Sequence, residues 1–375
     1  MRKTISSASS ATGAGKVTLE MVARRSGVSP ATVSRILNGT AVVSDEKREA
    51  VDRAIAELGF VPNPIARGLA GGRTLSAGVI TQAIDSPFYG VALRGIEEVL
   101  DAAGYIPLFV SGHWNADEEK RCIEVLRARR VDGLIVLTGR LGDADLCKVA
   151  KNLPTVITGR ELQAPNLYAL QFDDFEGARL ATEHLLQQGH RRIAFIAGDP
   201  GHPDSHERLR GYRAALQAHG VRYKAALVLP GSFVEESGRA AVQRLVDSGE
   251  PFSANFAAND QMAFGAALAL YERGLRVPDD VSLVGFDDLA GAVHSIPPLT
   301  TIQQSGLEMG RLAARSLLAL LNGESPKYRL PAPQLVVRAS TRAAASPDAV
   351  DRADRAERAD RADRAGPPRP AITLG

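Results

Sequence analysis

Cysteine is scarce in this chain: among 375 residues only Cys122 and Cys147 occur. Two thiols cannot build a disulfide framework or a four-ligand metal site, and both fall in apolar helical patterns, so they read as reduced, structural side chains. No apolar run approaches the roughly 20 residues needed to cross a bilayer, which excludes a membrane-spanning helix. The basic start Met1-Arg2-Lys3 is followed by Ser, Ala, Thr and Gly rather than by an apolar core of ~7–15 residues. No secretory signal is read there, and the cytoplasm is the expected compartment. Aromatics are few, at 5%, but 45% hydrophobic residues suffice for buried cores, and the length leaves room for about two or three domains. Net charge of one sign is also nearly absent, at +2, yet it is unevenly placed. Residues 1–74 hold eleven Lys/Arg against six Asp/Glu, a surplus of five, and the remainder is left with a deficit of three. A basic N-terminal module on a mildly acidic body suits a polyanionic partner for the first part only.

Both ends are poor in pattern. Residues 1–16 are rich in Ser, Ala and Gly, and from about Ala343 the chain repeats Asp-Arg-Ala, with one Glu, before Gly366-Pro367-Pro368. Asp and Arg recur there at helical spacing, but alanine offers the only apolar face, so 341–375 reads as a solvated low-complexity tail. Between the tails, 17–62 reads as short helices and 63–74 as a brief linker holding Pro64 and three glycines. From 75 to 340 strand-like runs (Ala77–Thr81, Ile106–Val110, Gly133–Thr138, Thr155–Thr158, Ile193–Ala197, Ala226–Leu229, Ser253–Ala257, Val281–Phe286) alternate with amphipathic stretches. The latter are Tyr89–Ala103, Glu118–Arg129, Phe175–Gln188, Glu207–His219, Val234–Asp247, Gln261–Arg273 and Gly306–Leu321. Such alternation produces right-handed βαβ units and a mainly parallel sheet. Nearly 270 residues is much for one sheet, so two doubly wound lobes are expected, about 75–172 with 304–331 and 173–303 with 332–340. A ligand would sit in the crevice beyond the strand C-termini.

The N-terminal helices carry the clearest chemistry. Thr18 is a plausible N-cap for Leu19–Arg25, and Ser26-Gly27-Val28-Ser29 follows, where Gly27 permits a tight turn between crossing helices. Ser29 can cap a second helix with Pro30 at its first position, where a missing N–H costs least. In that helix Val33, Ile36 and Leu37 form the inner face and leave Ala31, Thr32, Ser34 and Arg35 outside. A third helix begins at Ser44, places Asp45 and Glu46 in its first turn, and stops at Gly59. Two short helices around a glycine turn, the second exposing Ser, Thr and Arg, are the anatomy of a helix-turn-helix DNA reader. The plainer alternative is a small helical module for protein contacts.

The wording of the segment decides between them. Val17-Thr18-Leu19, Val22-Ala23, Ser26-Gly27-Val28-Ser29, Thr32-Val33-Ser34-Arg35 and Leu37-Asn38 resemble the head of the lactose-repressor (LacI/GalR) family of transcription regulators. Asn63-Pro64-Ile65-Ala66-Arg67-Gly68-Leu69-Ala70 looks like that family's hinge helix. Further on, Arg130-Val131-Asp132-Gly133, Gly189-His190-Arg191-Arg192-Ile193, Asn259-Asp260-Gln261-Met262-Ala263, Gly285-Phe286-Asp287-Asp288 and Pro297-Pro298-Leu299-Thr300-Thr301-Ile302 extend the likeness to about residue 340. The resemblance implies an all-α helix-turn-helix head on an α/β body of two lobes like periplasmic binding proteins. It also implies a dimer laying two recognition helices in successive major grooves of a near-palindromic operator. Thr18, Ser29, Thr32, Ser34 and Asn38 would anchor phosphates, and Pro30, Ala31 and Arg35 would face base edges, Arg35 toward a guanine. Asn63 and Arg67 fall in the hinge motif, where Leu69 matches the residue that wedges into the minor groove. The Asp-Arg-Ala tail lacks a leucine heptad, so a homodimer is favoured over a tetramer.

By the same resemblance the body senses a small molecule, a sugar or sugar derivative being expected, and no cofactor or metal is implied. Gln82, Asp85, Phe88 and Tyr89 would line the first lobe, Arg208, Phe233, Asn259 and Asp287 the second, with Gln304 near the crossover. Aromatic faces suit a sugar ring and Asp, Asn and Arg its hydroxyls. Where some relatives carry Asp after the fourth strand this chain has Gly159-Arg160, which points Arg160 toward a larger or anionic effector. No enzyme emerges. Gly13-Ala14-Gly15-Lys16 lacks the first Gly and the Ser/Thr of a phosphate loop, and His202-Pro203-Asp204-Ser205-His206 lacks the zincin Glu, with Pro203 arguing against a helix. A free sugar-binding protein without a regulatory role is the remaining alternative, and it would need a signal peptide and no DNA head.

Overall fold

The computed structural model describes residues 17–37, 43–60 and 73–344. Residues 1–16 and 345–375 of the tails, Asn38, and the linker residues Asn63, Arg67 and Leu69 lie outside the described residues, whereas 341–344, expected in the tail, are held on the body by bonds such as His184 Nε2 to the Thr341 hydroxyl at 2.9 Å. The chain divides into two units, one running up to Ser76 and taking in Arg129–Asp132, the other comprising Ala77–Ala128 and the rest from Gly133.

In the first unit, helix α1 (Leu19–Ser26) is capped by Thr18, whose hydroxyl accepts from the Met21 amide at 3.4 Å. Gly27 then takes φ 71°, a left-handed turn that a side chain would resist. Ser29 caps α2 (Pro30–Leu37) by accepting from the Thr32 amide at 3.2 Å. Helix α3 (Asp45–Leu58) opens with Asp45 and Glu46 against its positive end and closes on Gly59. Val22, Ala23, Val33, Ile36, Val51 and Ala54 form the buried centre where the three meet. The Asp132 carboxylate accepts from the amides of Thr74 and Leu75 at 2.8 and 2.9 Å, so the segment Arg129–Asp132 anchors residues 74 and 75.

The second unit holds two sheets. The first contains β1 (Ser76–Thr81), β2 (Ile106–Ser111), β3 (Gly133–Val136), β4 (Thr155–Thr158) and β5 (Leu167–Leu170), in spatial order β2-β1-β3-β4-β5. Ala77 registers with Gly133 and Leu134 with Thr155 in parallel. The second contains β6 (Ile193–Ile196), β7 (Val228–Leu229), β8 (Ala254–Ala257), β9 (Ser282–Asp287), β10 (Thr300–Gln303) and β11 (Gln334–Val336), in order β11-β10-β9-β8-β6-β7. Only β11, at one edge, runs antiparallel to its neighbour. The helices between them are α4 (Pro87–Ala102), α5 (Ala116–Ala128), α6 (Asp143–Ala150), α7 (Asp174–Gln187) and α8 (Pro203–Ala218). They continue with α9 (Glu235–Asp247), α10 (Asp260–Glu272), α11 (Ala290–His294) and α12 (Gly306–Leu321). Each sheet has its own core, Leu100, Ile135 and Leu317 in one and Phe195, Phe256 and Phe286 in the other. Among the described residues no helix is long and apolar enough to cross a membrane.

One expectation needs correcting. Helix α8 starts at Pro203, four residues before Glu207, because proline here does not break the helix but takes its first position, where no amide donor is required.

Helices α9 and α10 cross on a reciprocal glycine contact. A Cβ on Gly265 would lie 1.8 Å from the Glu235 carbonyl oxygen, and one on Gly238 would lie 2.1 Å from that of Met262. Backbone cannot yield as a side chain can, so Gly265→Val should force the helices apart at a cost of roughly 1–3 kcal/mol. In a unit of this size that lowers the melting temperature by about 3–10 °C. A calorimetric scan of the variant with an unchanged transition would show that the crossing is looser than this geometry requires.

Candidate functional site

Two places gather functional side chains, one in each unit. The first is the outer face of α2. Val33 and Ile36 are buried, Thr32 and Ser34 half-buried, and Pro30, Ala31 and Arg35 exposed. The Ser29 and Thr32 hydroxyls lie 2.9 Å apart, and the Arg35 Nε–H donates to the Ala31 carbonyl at 3.3 Å. That bond lays the guanidinium stem along the helix surface beside Ala31. A short, capped helix offering hydroxyls, a methyl and a guanidinium has the dimensions and chemistry of a groove reader.

The second is a cavity of about 360 Å³ between the two sheets of the larger unit. It lies where the strands end. Asp85 follows β1, Trp114 follows β2, Thr138 follows β3, Gly159 follows β4 and Phe172 follows β5. From the other side Asp199 follows β6, Phe233 follows β7, Asn259 follows β8 and Asp287 ends β9. This is the crevice that parallel sheets form beyond their carboxyl edges.

Arg208, from α8, is the centre of its floor and is 5% exposed. Its Nε donates to Asp174 Oδ1 at 2.8 Å, Nη1 donates to the Ala258 carbonyl, and Nη2 lies 3.8 Å from Asp287 Oδ1. The guanidinium also sits 3.9 Å from the centroid of the Phe286 ring. Burial opposes its charge, but Asp174, Asp287 and Asp204 outweigh that and raise its pKa further. The acids respond in the opposite sense. Burial pushes the carboxyls of Asp174, Asp204 and Asp287 above the usual carboxylate range, and Arg208 only partly restrains it. Carboxyls that retain protons can donate as well as accept. Asp287 adopts φ 111°, a strained value that its fixed position at the strand end sustains. Its loop is held by buried Asp260, which accepts from Thr301 Oγ1 at 2.6 Å and from the Leu289 amide at 2.7 Å. Burial pushes the Asp260 pKa up to about 7.

The cavity walls are aromatic. Phe88 meets Tyr89 edge-on at 5.5 Å and Phe172 at 6.4 Å, while Trp114 lies 4.5 Å from the His202 ring and His202 lies 5.1 Å from Phe233. Trp114 comes from the first sheet's side and His202 from the second, so this contact spans the cleft. Arg140 and Asp199 span it again, with Nη2 3.0 Å from Oδ2. Burial, reinforced by Arg208, pushes the His202 pKa down to about 3, so the ring is neutral, and its Nδ1 has no hydrogen-bond partner. The 3.4 Å approach of Asp204 to that nitrogen is therefore not an ion pair at neutral pH.

Of the residues expected to hold an effector, Asp85, Phe88, Tyr89, Arg208, Phe233, Asn259 and Asp287 line the cavity. Gln82, Arg160 and Gln304 do not. The Gln82 side chain donates to the Thr138 carbonyl at 2.6 Å and accepts from the Trp114 amide at 2.9 Å, so it braces two loops from behind. Arg160 turns away, donating to the carbonyls of Leu141 and Gly139 and pairing with Asp143 at 3.1 Å. Gln304 lies behind Asp174, 3.5 Å from its Oδ1. Asn259 lines the wall with its amide already engaged, accepting from Met262 N and donating to the Phe233 carbonyl, both at 2.9 Å. It shapes the pocket more than it offers free polar atoms. Trp114, His202, Asp174 and Asp204 were not anticipated. Asp174 and Asp204 stand in the first turns of helices, positions where acids ordinarily serve the helix dipole and so carry no separate signal.

Comparison with known proteins identifies both units. Residues 18–63 match the bacterial regulatory proteins of the lacI family, and residues 182–341 match the periplasmic binding protein-like domain. The HTH-type transcriptional regulator CelR of Thermobifida fusca is 39% identical over 317 residues, covering 82% of this chain and 93% of that protein. A solved CelR–cellobiose complex superposes with a TM-score of 0.64 at 37% identity, over 86% of this chain and 99% of the other. The lac repressor dimer bound to operator and the anti-inducer ONPF superposes at 0.80 with 34% identity, over 87% of this chain and 99% of its own.

Proposed function

This chain belongs to the lacI family of bacterial regulatory proteins, and from that premise we propose a repressor that holds a near-palindromic operator as a homodimer and releases it when a sugar fills the cavity. It is a sequence-specific DNA-binding transcription regulator with a helix-turn-helix head and a two-lobed body. The observation that carries the effector reading is Arg208 held among Asp174, Asp204 and Asp287 under aromatic walls. Fixed carboxyls and a guanidinium match the hydroxyls of a ring, and the aromatic faces match its C–H surface. The cellobiose complex of CelR supports a sugar, and the operator-bound lac repressor dimer supports the two-fold DNA site. In this reading Thr18, Ser29, Thr32, Ser34 and Asn38 set the head on phosphates and Arg35 reads a base, with Asn63, Arg67 and Leu69 serving the hinge.

The effector acts by preferring one lobe arrangement over another, and it can shift operator affinity only by that preference. Genome-wide binding should recover a two-fold site, held at nanomolar affinity in moderate salt and weakening steeply as salt rises. Sugars titrated into that complex, beginning with glucose and cellobiose, should raise the operator Kd at least tenfold. If sugars leave it unchanged and nucleosides shift it, the effector is a flat base and the sugar reading is wrong.

A further inference from the structure

The cavity is short of positive charge. Three acids, Asp174, Asp204 and Asp287, surround its floor, and four more, Asp85, Asp199, Glu235 and Glu236, line the remainder. Arg208 is the one cationic side chain lining it among the described residues. Its Nε donates to Asp174, its Nη1 to the Ala258 carbonyl, its face lies on Phe286, and its charge is faced by Asp174, Asp204 and Asp287. His202 is neutral. The nearest other guanidiniums belong elsewhere, Arg140 to Asp199 and Arg160 to Asp143 and two carbonyls. Where a phosphate or carboxylate is a ligand's recognition handle, a site supplies cationic side chains to match it, and here a single guanidinium faces seven acidic side chains.

We propose that the cavity is a charge filter, admitting neutral polyhydroxylated molecules and rejecting phosphorylated or carboxylated ones. The proposal rests on the sugar reading of the same cavity, and it replaces the anionic effector that Gly159-Arg160 suggested. An anion entering would face seven acidic side chains against one lining cation, at an effective dielectric lower than water's. A neutral hydroxylated ring would meet acceptors in the acids.

Trp114 is the only tryptophan of the chain and lines this cavity, so its fluorescence reports on the cavity alone. In the full-length protein, quenching by caesium and by neutral acrylamide should exceed quenching by iodide at least fivefold at low ionic strength. Glu235→Gln/Glu236→Gln should raise iodide quenching two- to threefold. Glucose against glucose 6-phosphate, and cellobiose against cellobionate, are then titrated with the same signal. The neutral member of a pair should bind at least tenfold tighter than its anionic counterpart. Iodide quenching equal to that of caesium, or an anionic sugar binding as tightly as its neutral partner, overturns the proposal. Iodide exclusion with no response to any sugar supports the filter and instead removes the sugar reading on which the ligand class depends.

Discussion

Arg208→Ala should lose effector binding by at least a hundredfold and lower the melting temperature of the protein by on the order of 10 °C. The two effects have one origin. Arg208 is buried with Asp174 and Asp287, and its removal leaves those carboxyls facing each other without a counter-charge. Breaking a buried pair from one side costs about 3–5 kcal/mol, far more than the pair contributes relative to an apolar replacement. In a unit of this length that corresponds to several degrees per pair lost. The fork that would hold ring hydroxyls also goes, along with the cation that stacks on Phe286. Arg208→Lys keeps the charge without the planar fork and should recover more of the stability than of the binding. Melting scans and Trp114 titrations on both variants separate these contributions. Operator affinity without effector should stay within about threefold of wild type, since the reading face on α2 belongs to the other unit. An Arg208→Ala protein that still responds to sugar would mean that the ligand is held by the aromatic walls alone.

How much of this was legible beforehand varies by element, and the reason is local. The head was almost fully readable, because its helices are bounded by chemistry that acts within three or four residues. Thr18 and Ser29 cap, Pro30 starts a helix, and Gly27 and Gly59 end two of them. The longer strands and helices of the body were also visible through their apolar runs. What escaped was short or at an edge. Strand β5 has four residues with a half-buried middle, β10 has four, β11 has three, and helices α6 and α11 have eight and five. Without the caps and turn residues that bound α1 and α2, segments of that length are defined by the neighbours they pack on.

The cavity divided along the same line. Arg208 and Asp287 come from the family resemblance, and the structure places both in the cavity. Gln82, Arg160 and Gln304 look identical to ligand-binding residues in sequence, and only the positions of Thr138, Asp143 and Asp174 reveal that they serve as braces. Trp114 and His202 come from loops on opposite sides of the cleft, 88 positions apart, and nothing in either neighbourhood announces the other.

Arg35→Ala should reduce discrimination between the operator and random DNA by roughly 5- to 150-fold, the equivalent of about 1–3 kcal/mol for one bidentate base contact. The argument starts from α2. Its inner face is fixed by Val33 and Ile36 in the head core, so the direction of Arg35 is set by the fold and not by the DNA. The bond from its Nε to the Ala31 carbonyl orients the guanidinium before binding, which lowers the entropy cost of ordering a long side chain at the interface. Removing it should leave the head folded, because Arg35 is exposed and lies outside the hydrophobic centre of the head. Phosphate contacts from Ser29 and Thr32 would persist, so binding to random DNA should fall by no more than a few-fold and the salt slope should change little. Competition binding of wild type and variant, on the operator and on a scrambled duplex at two salt concentrations, separates base reading from backbone anchoring. Equal losses on both duplexes, with a shallower salt slope, would place Arg35 on a phosphate and leave the base contacts to Pro30 and Ala31.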